Sequence, residues 1–228
     1  MDERIGAVSK PLVLAMDQGT HASRALVFDR QGRTLASGVA NISIGYPQAD
    51  WAEQDGNEIV NSVRLAATQA LQALGPRRHD VVAAGLSSQR SSVICWDRVT
   101  GAPLSPIFSW QDRRAHAWID ELKPHGDTVH RKTGLFLSPH YGASKLRWAL
   151  DHLPVVRAAL ENQTLCWGPM ASFVVFSLCA EQPFLADPQC AARTLLWNLP
   201  TQDWDPELLV LFGLPTGFLP KSVPTCHA

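Results

Sequence analysis

The chain has 228 residues, long enough to bury a substantial core, long for one average domain and short for two large ones, so that one domain with a subsidiary lobe fits best. Twenty Lys and Arg against 21 Asp and Glu give a formal net charge of -1, which leaves no electrostatic footprint for nucleic acid or an anionic membrane and makes any anion site local. No apolar run has the length of a membrane span, and Met1-Asp-Glu-Arg4 has neither the flanks nor the apolar centre of a signal peptide, so a cytoplasmic protein is expected. Cys95, Cys166, Cys179, Cys190 and Cys226 are odd in number, form no Cys-x-x-Cys pair and lack clustered His partners. They read as buried reduced thiols, not as zinc ligands.

Leu12 to Asp29 reads as two buried strands joined by a tight polar turn. Asp17 closes the first apolar run, Gly19 is expected to turn the backbone with positive φ, and Thr20, Ser23 and Arg24 offer hydroxyl and guanidinium donors. A phosphate chain with hydrated Mg²⁺ needs such a set, although an Asp-Gln-Gly-Thr turn taken alone is ordinary hairpin chemistry. Gln31-Gly32 marks a second turn, and Thr34 to Ile44 continues as a third strand. From Asp55, Val60, Val63, Ala67, Leu71 and Leu74 recur at helical spacing until Gly75-Pro76 stops them.

Val81 to Leu86 has the uninterrupted apolar character of a buried central strand, and Ser92 to Asp97 is a further strand ended by a turn at Thr100-Gly101. Ile107 to Trp110 reads as a strand, Gln111 to Leu122 as a helix ended by Pro124, and Ala143 to His152 as another helix. Beyond it, prolines divide the chain into short elements. The clearest is a helix from Pro206 to Phe212 with Gly213 after its end. The order β-β-β-α-β with later helices is that of a three-layer α/β domain with a mixed sheet.

Eight segments in order resemble the N-terminal half of the FGGY carbohydrate kinases, in their glycerol kinase-like branch. They are Asp17-Gln-Gly-Thr-His-Ala-Ser-Arg24, Trp51-Ala-Glu-Gln-Asp55, Gly85-Leu-Ser-Ser-Gln-Arg90, Trp110-Gln-Asp-Arg-Arg114, Thr133-Gly-Leu135, Lys145-Leu-Arg-Trp148, Ala192-Arg-Thr-Leu-Leu-Trp-Asn198 and Asp203-Trp-Asp205. The resemblance implies a ribonuclease H-like, actin-type ATPase fold, α/β with a mixed sheet flanked by helices, and two domains with ATP and substrate between them. Residues 1–10 would be a tail and 11–228 the N-terminal domain, incomplete at its C-terminal end, with the second nucleotide-binding domain absent. The family's catalytic aspartate, in a Gly-Asp-Gln motif, falls beyond the point matching Ala228. No catalytic base is therefore assigned within the chain, which is expected to be inactive alone.

The same resemblance implies the remaining roles. Asp17 would hold Mg²⁺ through water, and Gly19, Thr20, Ser23 and Arg24 would lie at the ATP phosphates. Arg90, Ser91, Trp110 and His140 would line the site of a small carbohydrate or polyol, with Arg90 donating to hydroxyls and Trp110 as an aromatic wall. The chain departs from the family at His21 and Ala22, where small hydroxyl residues are usual, at Ser91, where glycerol kinases carry glutamate, and at His140, where they carry tyrosine; the neighbouring Tyr141 is the other ring that could serve. Asp29, Asp97, Asp187 and Asp205 read as turn and proline-associated carboxylates, and Cys226-His227 as a frayed terminus. The expectation is ATP- and Mg²⁺-dependent phosphorylation of glycerol or a related polyol or ketose. No nucleic-acid or membrane partner is expected, and a homo-oligomer is compatible with the full-length enzyme. The alternative is a non-catalytic sugar- or nucleotide-binding or interaction protein derived from a kinase half.

Overall fold

A computed structural model describes residues 11–226. The tail expected over 1–10, with the reading of Met1 to Arg4, lies outside the described residues, as does His227 of the terminal Cys-His pair. In chain order the strands are β1 (Leu12–Gln18), β2 (Ala22–Phe28), β3 (Thr34–Asn41), β4 (Glu53–Gln54), β5 (Val81–Ser88), β6 (Val93–Asp97), β7 (Ile107–Phe108), β8 (Leu165–Pro169), β9 (Leu185–Ala186), β10 (Trp197–Asn198), β11 (Asp203–Trp204) and β12 (Lys221–Ser222). The α-helices are α1 (Gly56–Leu74), α2 (His116–Glu121), α3 (Gly126–Thr133), α4 (Gly142–His152), α5 (Pro154–Glu161), α6 (Met170–Leu178), α7 (Pro188–Ala191) and α8 (Pro206–Leu211). The described chain divides into two compact units, one of residues up to 42 with 61–88, the other of 43–60 with the residues from 89 onward.

The first unit is a four-stranded sheet in the order β3-β2-β1-β5, antiparallel except for β5, which runs parallel to β1. Alternation places Leu12, Leu14, Ala25, Val27, Ala36 and Ala40 on one face, where they pack against Ala66 and Ala70 of α1. Gly38 permits that approach, because a Cβ there would collide with the Ala66 carbonyl. The opposite face carries Val13, Asp17, Arg24 and Val39, and both valines are exposed. The expectation of a buried central strand at Val81 to Leu86 is corrected. β5 is an edge strand, and Val82 is 68% exposed, because β1 is its one strand neighbour among the described residues. Gly19 turns the hairpin without positive φ: its N-H instead donates to the Ala22 carbonyl at 2.9 Å, while Gly32, at φ 75°, makes the second turn as expected.

The second unit has a sheet in the order β4-β7-β6-β8, backed by helices around a core that includes Val93, Phe108, Leu146, Leu150, Trp167 and Phe212. The helix expected over Gln111 to Leu122 is confined to α2, since the Asp112 carboxylate accepts from the Arg114 N-H at 3.2 Å and holds a local turn in place of helix. α4 begins one residue before the expected start, and Gly142 is required there: a Cβ would lie 2.9 Å from Val93 and 3.1 Å from the Trp167 ring. α3, α5, β8 and α6 were not anticipated. α5 starts on Pro154 two residues after α4, and α6, Met-Ala-Ser-Phe-Val-Val-Phe-Ser-Leu, is apolar on nearly all sides, which erases the periodicity that marks a surface helix.

A buried ion pair ties this unit together. Asp112 is fully buried; it accepts from the Ala52 N-H at 2.8 Å and from Arg114 at 2.7–3.0 Å through both Nε and Nη2. The same Nη2 reaches Glu53 at 2.6 Å, while the guanidinium carbon sits 3.9, 4.5 and 4.6 Å from the ring centroids of Trp51, Trp148 and Phe108. Cation and carboxylate thus exchange water for each other, for backbone and for aromatic faces. Asp112→Ala would leave the guanidinium buried with only Glu53 and should destabilise the fold by about 3–5 kcal/mol. Lys123→Ala, at the exposed Lys123–Asp120 pair, should change stability by less than about 1 kcal/mol. Urea unfolding of both variants checks this, and equal small losses would remove the ion pair from its structural role.

Candidate functional site

The residues expected at phosphate lie at the β1–β2 hairpin of the first unit. Asp17 pairs with Arg24 across the two strands, so both side chains stand on the sheet face opposite α1. Ser87 of β5 pairs with Asp17 from the other side and shares that face, a neighbour that only strand pairing discloses. Thr20 sits in the turn. Ser23 does not join this set: it is 1% exposed, opposite Gln18 on the helix-covered face, and its hydroxyl bonds that of Ser62 in α1 at 2.7 Å. Period-two alternation separates it from Arg24. The Gly19 amide is likewise committed to the turn, and Asp17 and Arg24 are the side chains of the expected set that share the sheet face away from α1.

The residues expected at the polyol lie in the second unit, on three loops. Arg90 is exposed, two residues after the end of β5, and Ser91 is buried with φ at 67°, a left-handed conformation uncommon for a residue with a side chain. The Ser91 hydroxyl is buried with no hydrogen-bond partner among the described residues. Trp110 is 37% exposed, unlike the sealed Trp96, Trp167 and Trp197, and is therefore no core tryptophan. The Trp110 backbone N-H donates to the Ser92 hydroxyl at 3.0 Å, and the Ser92 hydroxyl in turn donates to the Gln89 side-chain oxygen at 2.9 Å. The Trp110 ring lies 6.0 Å, edge to face, from His140, whose ring meets Tyr141 at 5.0 Å. The Arg193 guanidinium stands 4.9 Å over the Tyr141 ring.

Sequence reasoning missed the residue that joins these loops. Lys145, fully buried in α4, donates to the carbonyls of Ser109 at 2.7 Å, His140 at 2.8 Å and Ser91 at 3.2 Å. A signal was present: Gly142, Lys145, Leu146, Ala149 and Leu150 fall on one helical face, and all are buried, so a cation occupied an apolar position. Burial pushes the Lys145 ammonium down to about 7, opposed by Asp112 and reinforced by Arg114 and Arg113. Burial also pushes the His140 imidazole down to about 4, with Lys145, Arg193 and Arg113 adding to it.

The carboxylates read as structural hold structure. Asp29 accepts from Gln31 and Arg33 backbone in a turn, Asp97 does so from Val99 and Thr100, and Asp187 and Asp205 cap α7 and α8. Cys95 and Cys166 are buried as expected, with desolvation pushing their thiols up to about 12 and about 11, whereas Cys179 and Cys226 are exposed. An open hollow of about 630 Å³ in the second unit is lined by Gly45, Pro47, Asp55, Pro103 and Pro106 among others, and none of the expected site residues lines it. Among the described residues no group of three or more His, Cys, Asp or Glu could hold a metal, and no helix is long and apolar enough to cross a membrane.

This architecture is that of sugar kinases with an actin-like ATPase fold. The structure of glycerol kinase from Plasmodium falciparum with ADP superposes with a TM-score of 0.84 at 23% identity, covering 93% of this chain and 43% of that one. Gluconate kinase from Lactobacillus acidophilus gives 0.81 at 25% identity, over 93% and 42%. The FGGY family of carbohydrate kinases, N-terminal domain, matches residues 12–228, and the chain belongs to that family. Glycerol kinase of Shewanella frigidimarina is 40% identical over 221 residues, 96% of this chain and 44% of the relative, and that of Delftia acidovorans is 38% identical over 215 residues, 93% and 43%. The chain therefore spans less than half the length of these relatives.

His140 should be a neutral imidazole at pH 7. The unfolded chain binds a proton near pH 6.5 that the folded chain takes up only near pH 4, so stability should fall as pH drops through that interval. The imidazole resonance of His140 should titrate near 4, and His140→Gln should flatten the acid loss of stability. A midpoint at the ordinary histidine value would show the ring to be solvated.

Proposed function

We propose that this chain is the substrate-loop half of a kinase that transfers the γ-phosphoryl group of ATP, with Mg²⁺, to a hydroxyl of a small carbohydrate or polyol, glycerol being the first candidate. The observation that carries the reading is the convergence of the carbonyls of Ser91, of Ser109, which precedes Trp110, and of His140 on one buried lysine in a chain matched over residues 12–228 by a carbohydrate-kinase domain. Arg90 donates to substrate hydroxyls, the half-exposed Trp110 face packs against the carbon skeleton, and neutral His140 donates to or accepts from a hydroxyl. The general base is an aspartate outside this span, and the intact protein adds a second nucleotide-binding domain.

The hairpin fits the nucleotide in a limited way. Mg²⁺ keeps most of its waters and needs one or two carboxylates beside phosphate oxygens, and Asp17, a single carboxylate flanked by Arg24 and Ser87 on its sheet face, suits that mode better than a protein cage. Bound there, the metal and triphosphate would supply the transferable phosphoryl group and neutralise its charge. Thr20 and Arg24 are the donors placed to position the phosphates. The absence of the small hydroxyl residues that the family usually carries at His21 and Ala22 makes that grip weaker.

Isotope-labelled chain titrated separately with glycerol, a pentulose, gluconate and MgATP tests the reading. Glycerol should shift Trp110 and His140, while MgATP should shift Gly19 and Thr20. Arg90→Ala should weaken polyol binding roughly 10- to 100-fold, the equivalent of a charged hydrogen bond of about 1.5–3 kcal/mol, and leave the MgATP titration unchanged. A coupled assay should detect no polyol-dependent ADP release from the chain alone. Loss of MgATP binding in Arg90→Ala, or no polyol response at Trp110, would favour the alternative of a binding or interaction protein.

A further inference from the structure

The Lys145 clasp has no counterpart in the roles assigned so far. An ammonium has three donors and no acceptor, and the carbonyls of Ser91, Ser109 and His140 engage all of them. Each carbonyl belongs to a candidate contact or immediately precedes one: Ser91 follows Arg90, Ser109 precedes Trp110, and His140 is itself a candidate. These segments are remote in sequence; the first two are joined by the short Val93–Phe108 pairing of β6 with β7, whereas the His140 segment belongs to no sheet. A helix position that needed only packing would be better filled by leucine or methionine, because a buried charge must be repaid by its partners. The arrangement also restrains Ser91, whose left-handed backbone has its carbonyl bonded to Nζ.

We propose that Lys145 is the positioning residue of the polyol site, a single buried cation that fixes, through three backbone carbonyls, the loops presenting Arg90 and Ser91, Trp110 and His140. The clasp stands on geometry, and its effect on ligand rests on the polyol reading above. The charged and titratable groups facing it are the Asp112 carboxylate, which favours the ammonium, the Arg113 and Arg114 guanidiniums, which oppose it, and the neutral His140 ring. With its proton gone, Lys145 keeps two N-H donors for three carbonyls. One segment must then loosen.

The amides of Ser92, Trp110 and Tyr141, each bonded to a clasped carbonyl carbon, report directly on it in the ¹⁵N-labelled chain. As pH rises through the neutral range, all three should move with one midpoint, matched by the Lys145 Cε resonance and separate from the His140 titration near 4. Lys145→Met should abolish that step, lower amide protection of the three segments at least tenfold and weaken glycerol binding at least tenfold. Lys145→Arg, charged throughout, should also lose the pH step yet recover part of the glycerol affinity. A Lys145→Met chain that melts cooperatively with the three segments as protected as before overturns the proposal. Should that variant fail to fold, the wild-type titration decides, and amides that ignore the Lys145 signal overturn it equally. If wild type shows no glycerol response at all, the polyol reading fails while the amide measurements still decide the clasp.

Discussion

The larger of the two units depends on a guanidinium placed where solvent does not reach. Arg114 holds Asp112 and Glu53 on its edge and three aromatic rings around its planar body. That demands a residue that is flat, always charged and multiply donating, and lysine is none of these together. The geometry explains why Trp51, Glu53, Asp112, Arg114 and Trp148, spread over three separate sequence segments, meet at one point. Much of the family resemblance in those segments is therefore architectural, recording how the ion pair is caged and not what the protein binds.

Lys145 works on the same principle at shorter range. Loops carry backbone carbonyls that regular ladders do not satisfy, and a loop buried at its base must find donors for them. Arg114 serves side chains and aromatic faces, whereas the compact ammonium of Lys145 serves three carbonyls. The two cations also share an anion, since the Asp112 carboxylate that binds Arg114 also favours the charge on Lys145. Framework and loop cluster are thereby coupled electrostatically within one unit, and a change at Asp112 reaches the bases of the Trp110 and His140 segments without touching either side chain.

What could be read from the sequence followed from local periodicity and turn chemistry. β1 to β3, α1, β6, α4 and α8 each have a clear repeat or a stop signal such as Gly75-Pro76, and the sequence shows both. The buried α6 and β8 have no polar face to set a period, and α2 lost its first turn to an Asx contact that only tertiary structure makes worthwhile. Ser23 looked like a phosphate donor because it is near Asp17 in sequence, but pleat alternation sends it to the helix side. Val81 to Leu86 has the composition of a covered strand and forms an exposed edge in the described residues, since composition does not state how many neighbours a strand has. Lys145 lay within a recognised segment but received no role, because a cation on an apolar helical face is meaningful only once its three acceptors are visible.

Under the polyol reading, the departures at Ser91 and His140 act together on selectivity. A glutamate at position 91 would bring a charged acceptor to a region already holding Arg113, Arg193 and Lys145; serine brings a neutral one, and its buried hydroxyl has no partner among the described residues. A ligand hydroxyl that reaches it satisfies both groups, whereas a ligand lacking that hydroxyl leaves Ser91 unpaired, and sites built this way discriminate steeply. His140, kept neutral by burial and by the three cations, offers one donor and one acceptor where tyrosine would offer a stronger donor further from the backbone. The pair thus exchanges a charged acceptor and a phenolic donor for two neutral groups, each able to donate to or accept from a hydroxyl. Selectivity then rests on the position of hydroxyls along the substrate more than on charge, and position is what the carbonyl clasp beneath the loops controls.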